Sequence, residues 1–312
     1  MKTNLLVVVM SLVAFTAACT TEHSEAVTIF ESTPLPTPTQ SQTPMPQADN
    51  EFRQALEDIW IDDDRTKIGN ILISRKCTSI GDNDYLGECE LSIRRGRKVF
   101  RTFSTEHARK YWIQYGFKDL LGKGSNQLIV HTYSGGAHCC YDYFIYDLKP
   151  NFRIIYDSSQ YDSYIGNELV PIDIDGDGVL EFYQDVMAFD YLGSAGHANS
   201  SFPPAIFAYE RRAEQYRLAT KRFPDFVMKL LEPLVVRTGQ EGVTVSFDEY
   251  IVRTQFLYMV YAGKRDQAWK YFDANYRSDD PDSYMEHFRE QFRTEFKDIF
   301  SKDPTYRSIY GN

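Results

Sequence analysis

Two stretches of the chain match each other 54 residues apart. The first begins at Asp119, carries Gly122 and Gly124, and opens an apolar run at Gln127. The second begins at Asp173, carries Gly176 and Gly178, and opens an apolar run at Glu181. A Gly-x-Gly pair admits the left-handed backbone that a tight loop needs, so each stretch reads as a loop feeding a strand. A period of roughly 50 to 60 residues is the length of one supersecondary unit, and it predicts a fold assembled from repeated strand units.

The residues around the match agree. From about 51 to 220, short apolar or alternating runs are separated by turn residues, as in a β-rich domain. Strands are expected at 68–74, 89–93, 98–103, 127–133, 141–148, 152–156, 180–187, 205–209 and 216–219. Gly96, within Arg94–Arg97, marks a hairpin turn. Phe52, Leu56, Ile59 and Trp60 fall at helical spacing and predict a short helix over 51–61.

Beyond residue 220 the period becomes helical. Pro224 suits a first helical turn ahead of Phe226, Val227, Leu230 and Leu231. Ser246 and Glu249 form a capping box for a helix that runs to about Ala262, and Gly263 stops it. Trp269, Phe272 and Tyr276 mark a helix over 267–276. Met285, Phe288, Phe292, Phe296 and Ile299 form the stripe of a last helix, which begins after Asp279 or Asp280 and ends before Pro304. These stripes read as core. The expected fold class is therefore α+β: a strand-rich repeat domain at 51–220, then a small helical bundle at 221–312. The bundle either packs on the strands or stands apart.

The second repeat loop carries the chemistry. Asp173, Asp175 and Asp177 alternate, and Glu181 follows eight residues after the first. Hard cations such as Ca²⁺ take six to eight oxygen ligands, which closely spaced carboxylates on a turning backbone supply. The start is like an EF-hand loop. However, position 12 is Gln184 rather than Glu, and the expected flanks are strands. The stretch instead resembles the loop of FG-GAP/VCBS repeats, which joins two strands in integrin-like propeller blades. That resemblance covers about 105–220. It implies side-chain ligands at Asp173, Asp175, Asp177 and Glu181, a backbone carbonyl ligand at Val179, and one structural Ca²⁺. The first copy keeps Asp119 but has Leu121, Lys123 and Gln127 at the other ligand positions, so it is expected to hold no metal. Two matching units fall short of the four or more blades of a full propeller, so a smaller domain of blade-like units is expected.

Residues 1–18 resemble a bacterial lipoprotein signal. Lys2 precedes an apolar run from Leu5 to Ala18 that is too short to span a bilayer, and Cys19 follows it. Thr16 departs from the aliphatic residue usual there. The resemblance implies acylation of Cys19 and a lipid-anchored, extracytoplasmic place in the cell envelope, with the membrane as partner through that lipid. Residues 19–50 are rich in Pro and Thr and poor in apolar residues, the composition of a disordered tether.

Outside the cytoplasm the four remaining cysteines are expected to pair. Cys77 with Cys89 is favoured, which leaves Cys139 with Cys140. Separate bridges from Cys139 and Cys140 to Cys77 and Cys89 are the other arrangement. Gly135, Gly136, His138, Cys139 and Cys140 sit between two expected strands, and the segment is similar to one in bacterial secreted proteins. A soft-metal or redox site at His131, His138, Cys139 and Cys140 is the alternative use of these residues.

A formal charge of −10 argues against a nucleic-acid partner. The expectation is a non-catalytic envelope lipoprotein with a Ca²⁺-stabilised β-domain, binding or scaffolding a protein or glycan ligand. The alternative is a secreted enzyme that acts on glycans or uses the His138–Cys140 segment. No catalytic residue is assigned. The basic run Arg94, Arg95, Arg97, Lys98, Arg101, Arg109 and Lys110 reads first as a solvated hairpin face.

Overall fold

Among the described residues, twelve strands fall into three separate four-stranded antiparallel sheets, and each sheet pairs its strands in chain order. The structure, a computed structural model, describes residues 59–79, 87–108, 112–133, 141–192, 196, 197, 200–238, 246–276 and 284–311. All of these lie in one compact unit, Pro44–Asn312.

The first sheet holds β1 (Arg65–Ile68), β2 (Ile71–Ser79), β3 (Gly87–Arg95) and β4 (Lys98–Ala108). The second holds β5 (Ile113–Lys118), β6 (Gln127–Tyr133), β7 (Tyr141–Asp147) and β8 (Arg153–Asp157). The third holds β9 (Ile165–Ile172), β10 (Glu181–Val186), β11 (Pro204–Glu210) and β12 (Gln215–Leu218). Helices α1 (Pro224–Thr238), α2 (Ser246–Tyr261), α3 (Arg265–Asn275), α4 (Tyr284–Lys302) and α5 (Pro304–Tyr310) follow. The expectation of a strand-rich α+β protein holds.

The layers stack because alternate residues of a strand face opposite ways. On the second sheet, Leu128 and Val130 enter a core shared with Ile73, Leu91, Ile93 and Phe103 of the first sheet. Between them Ile129 points to the other core, with Tyr143 and Ile145 and with Phe182 and Phe207 of the third sheet. The third sheet is covered in turn. Tyr156 meets Phe182 and Phe207 edge-on from the side of the second sheet, whereas Phe226 of α1 meets Tyr183 from the other. Ala205 to Ala208 of β11 are all buried, the pattern of a strand covered on both faces. Of the two arrangements open for the helices, packing on the strands is the one observed. Ser201 bonds Thr254, and the Tyr258 hydroxyl donates to the Phe202 carbonyl. Phe189 touches Tyr261, Phe296 and Phe300. Among the described residues no helix is long and apolar enough to cross a membrane.

Several boundaries differ from expectation. The run 68–74 is two strands, split by a turn at Gly69 with φ +60°. Strands β1, β5 and β9 and helix α5 were not expected from the sequence. Asp303 caps α5 by accepting from the backbone N–H groups of Thr305 and Tyr306, and Tyr261 bonds the same carboxylate. The helix expected over 51–61 lies outside the described residues except for its end. There, Trp60 forms a β-bridge to Gly116 instead.

Cys77 and Cys89 are directly opposed on β2 and β3 and form a disulfide, with Cα atoms 4.0 Å apart. The pairing favoured from sequence is the one observed. Cys19, His138, Cys139 and Cys140 lie outside the described residues.

Candidate metal centre

The two matching loops fold alike. In the β9–β10 loop, the Asp173 carboxylate accepts from the N–H groups of Gly176 and Gly178, at 2.8 and 3.1 Å. In the β5–β6 loop, Asp119 accepts from Lys123 and Gly124, at 3.2 and 2.6 Å. Glu181 then reaches back to the N–H of Ile174 at 3.0 Å, as Gln127 reaches back to that of Leu120 at 2.8 Å. The glycines correspond too: Gly122 and Gly124 have φ +61° and +67°, Gly176 and Gly178 +77° and +79°. Two of the three bonds thus correspond across the 54-residue offset, and the third differs, since Asp119 accepts from Lys123 where Asp173 accepts from Gly176.

The loops also lie side by side. The N–H of Leu180 donates to the Leu120 carbonyl at 2.8 Å. The Tyr216 hydroxyl contacts both the Leu120 and Leu180 carbonyl oxygens, at 3.4 and 2.9 Å. Gly122 sits so close to the Gly178 carbonyl that a Cβ there would clash with it.

The loops differ in charge. Asp173, Asp175 and Asp177 are exposed, and one oxygen from each lies within 4.8 Å of the others. Three carboxylates that close repel one another unless a cation or arginine offsets them. Arg222 approaches Asp175 at 3.4 Å and Arg211 approaches Asp177 at 3.7 Å, but exposed pairs of this kind stabilise little. Asp177 also accepts from the Val179 N–H at 2.8 Å. In the twin loop, Leu121 is buried where Asp175 is exposed, and the ammonium of Lys123 stands 5.5 Å from the centre of the Tyr209 ring.

Glu181 is placed differently from the other expected ligands. It is buried beneath the loop, outside the cluster of three. Burial holds its carboxyl group above the usual range, Asp175 and Asp177 push the same way, and the Ile174 N–H opposes them. A cation at the triad would reverse the contribution of those two aspartates.

His131, expected as an alternative metal or redox residue, is buried on β6 among aromatic rings. Tyr141 stacks on it at 5.1 Å, with Tyr143 and Trp60 at 4.9 and 5.6 Å. Among the described residues neither ring nitrogen has a hydrogen-bond partner. Burial lowers its pKa to about 4, so the ring is neutral near pH 7.

One cluster had no signal in the sequence. Asp185 is half-buried on β10 and accepts from the Asn167 amide at 2.7 Å. Asn167 itself has φ +62°. Burial raises the Asp185 pKa to about 6. Nearby, the His197 ring contacts Asp190 at 2.9 Å. A left-handed asparagine beside a strand bulge between Tyr183 and Asp185 is a tertiary feature with no local motif.

No protein-family model matches the chain, and no curated protein matches it.

Proposed function

We propose that this is a non-catalytic cell-envelope protein, anchored by a lipid on Cys19, whose stacked blade-like sheets are stabilised by one Ca²⁺ and present a binding or scaffolding surface to a protein or glycan. The observation that carries the reading is the pair of loops. The twin loop keeps the Gly124–Asp119 and Leu120–Gln127 hydrogen bonds with Leu121 and Lys123 in place of two aspartates. Folding of the loop therefore does not require Asp175 and Asp177. Their convergence within 4.8 Å fits a cation held by Asp173, Asp175 and Asp177, whose hard oxygens suit Ca²⁺. When bound, the ion supplies charge neutralisation and no reaction step. Its effect reaches the second sheet as well, because the two loops share the Leu180–Leu120 hydrogen bond.

The test is thermal unfolding with and without Ca²⁺. A ligand at a hundred times its Kd adds about 2.7 kcal/mol, which for a domain of this size raises Tm by about 5 °C or more. The variant D175N/D177N should keep its fold and lose the Ca²⁺ response. An unchanged Tm for the unmodified protein would end the calcium proposal. Mass spectrometry of the mature N-terminus tests the anchor independently. A diacylated Cys19 supports it, and an unmodified start elsewhere removes it.

A further inference from the structure

We infer that the hairpin end of the first sheet is a docking surface for an anionic lipid bilayer. The β1–β2 and β3–β4 turns lie together there, since the Gly96 N–H donates to the Asn70 carbonyl at 3.2 Å. The register brings Lys67, Leu72, Arg94 and Val99 into one row, and sets Arg95 against Ile71 and Lys98 in the next. Lys67, Arg94, Arg95, Arg97 and Lys98 are all exposed. No carboxylate among the described residues pairs with any of these five, whereas Arg101, one step further along β4, is engaged by Asp157 at 3.4 Å.

The second observation is apolar. Among the described residues, Val99 and Phe100 are two of the three exposed large hydrophobic residues, at 45% and 38%. They sit next to each other at the tip of the cationic hairpin. The strand register slips here: Val99 pairs with Arg94 and Arg101 with Ile93, which leaves Phe100 as the extra residue of a bulge. Bulges near a sheet edge re-aim a side chain. Phe152 packs against this ring at 4.8 Å, and the Lys98 ammonium stands 5.3 Å from its centre.

Together these features fit a bilayer interface better than an anionic polymer. Cations bind lipid phosphates while adjacent apolar side chains enter the boundary between headgroups and acyl chains. A polysaccharide or nucleic acid would use a ring as a stacking platform, and the Phe100 ring is partly covered already. Charge also fixes the orientation. The chain as a whole carries −10, so an anionic surface repels most of the molecule and admits this end.

This surface is independent of the Cys19 lipid, and the experiment removes that lipid. The mature chain from residue 19, carrying C19S, is sedimented with vesicles of one part phosphatidylglycerol to two parts phosphatidylcholine, and with phosphatidylcholine alone. Expected is binding to the anionic vesicles only, reversed by high salt. Each basic residue near an anionic surface is worth about five-fold in partition, so R94S/R95S/R97S should weaken binding about a hundred-fold. V99S should weaken it several-fold and leave the salt dependence intact. All four residues are exposed, and circular dichroism confirms that the variants fold. Equal binding to both vesicle types overturns the proposal, as does full binding by the triple variant. Binding to soluble heparin without binding to vesicles overturns it too, in favour of a polymer.

Discussion

Replacing His131 by phenylalanine should remove an acid sensitivity that the native protein carries in its core. His131 is buried, and its pKa falls from 6.5 to about 4 through loss of solvation. The unfolded chain therefore binds a proton between those values that the folded chain refuses. Stability contributed by the neutral ring is present above pH 6.5 and is lost as pH falls through that window. The loss between pH 7 and pH 5 is about 2 kcal/mol. Asp185 acts in the opposite sense. Its pKa rises from 3.8 to about 6 on folding, so its burial penalty is relieved as pH falls, by about 1 kcal/mol over the same interval. Urea unfolding at pH 7 and pH 5, followed by tryptophan fluorescence, should show that H131F loses about 2 kcal/mol less than the native protein between the two conditions. The comparison of the two proteins cancels the contributions of the other carboxylates. H131F should also be more stable at pH 7 by about 1 kcal/mol, because it removes buried nitrogens that lack partners. If the two proteins lose stability in parallel on acidification, the ring is hydrated or hydrogen-bonded in the native state and the reasoning fails.

The Cys77–Cys89 bridge closes a short loop, with a sequence separation of 12. C77A/C89A should cost about 3 kcal/mol in urea unfolding, and a loss below about 1 kcal/mol would show that the loop is already restrained in the unfolded chain. Gly122 and Gly124 both have positive φ, but only the first lies against another backbone. G124A should therefore cost about 1 kcal/mol and G122A clearly more; equal costs would mean that the two repeat loops are not in contact.

The repeat loops were legible because a tight turn places strict demands on local sequence. Asp119 and Asp173 cap the backbone, and paired glycines supply positive φ. The missed strands had no such local signature. Strand β5 contains Gly116, which reads as a break, yet a side chain there would clash with the Ile59 carbonyl. Strand β9 contains Asn167 at positive φ and Pro171, which an edge strand tolerates and a sequence window penalises. Strand β1 is four residues with two cations, half exposed. The Cys77–Cys89 pairing is favoured by the turn-rich stretch between the two cysteines, and the β2–β3 register places them directly opposite each other. The Asp185 environment was invisible because Asn167 and Asp185 meet only across a sheet.

Strand pairing in chain order also shapes how the molecule is built. Each sheet joins only strands adjacent in the chain, so most of its loops are short and their closure costs little entropy. Such local topologies form quickly. The middle sheet, like the third, is not self-sufficient, because in it Leu128 and Val130 point one way and Ile129 the other. Once its four strands have paired, it still shows bare apolar surface on both sides until its neighbours arrive. The slow and association-prone stage of folding is then the docking of finished sheets, and a chain cut before β9 would be left with one sticky face that no later residue can cover.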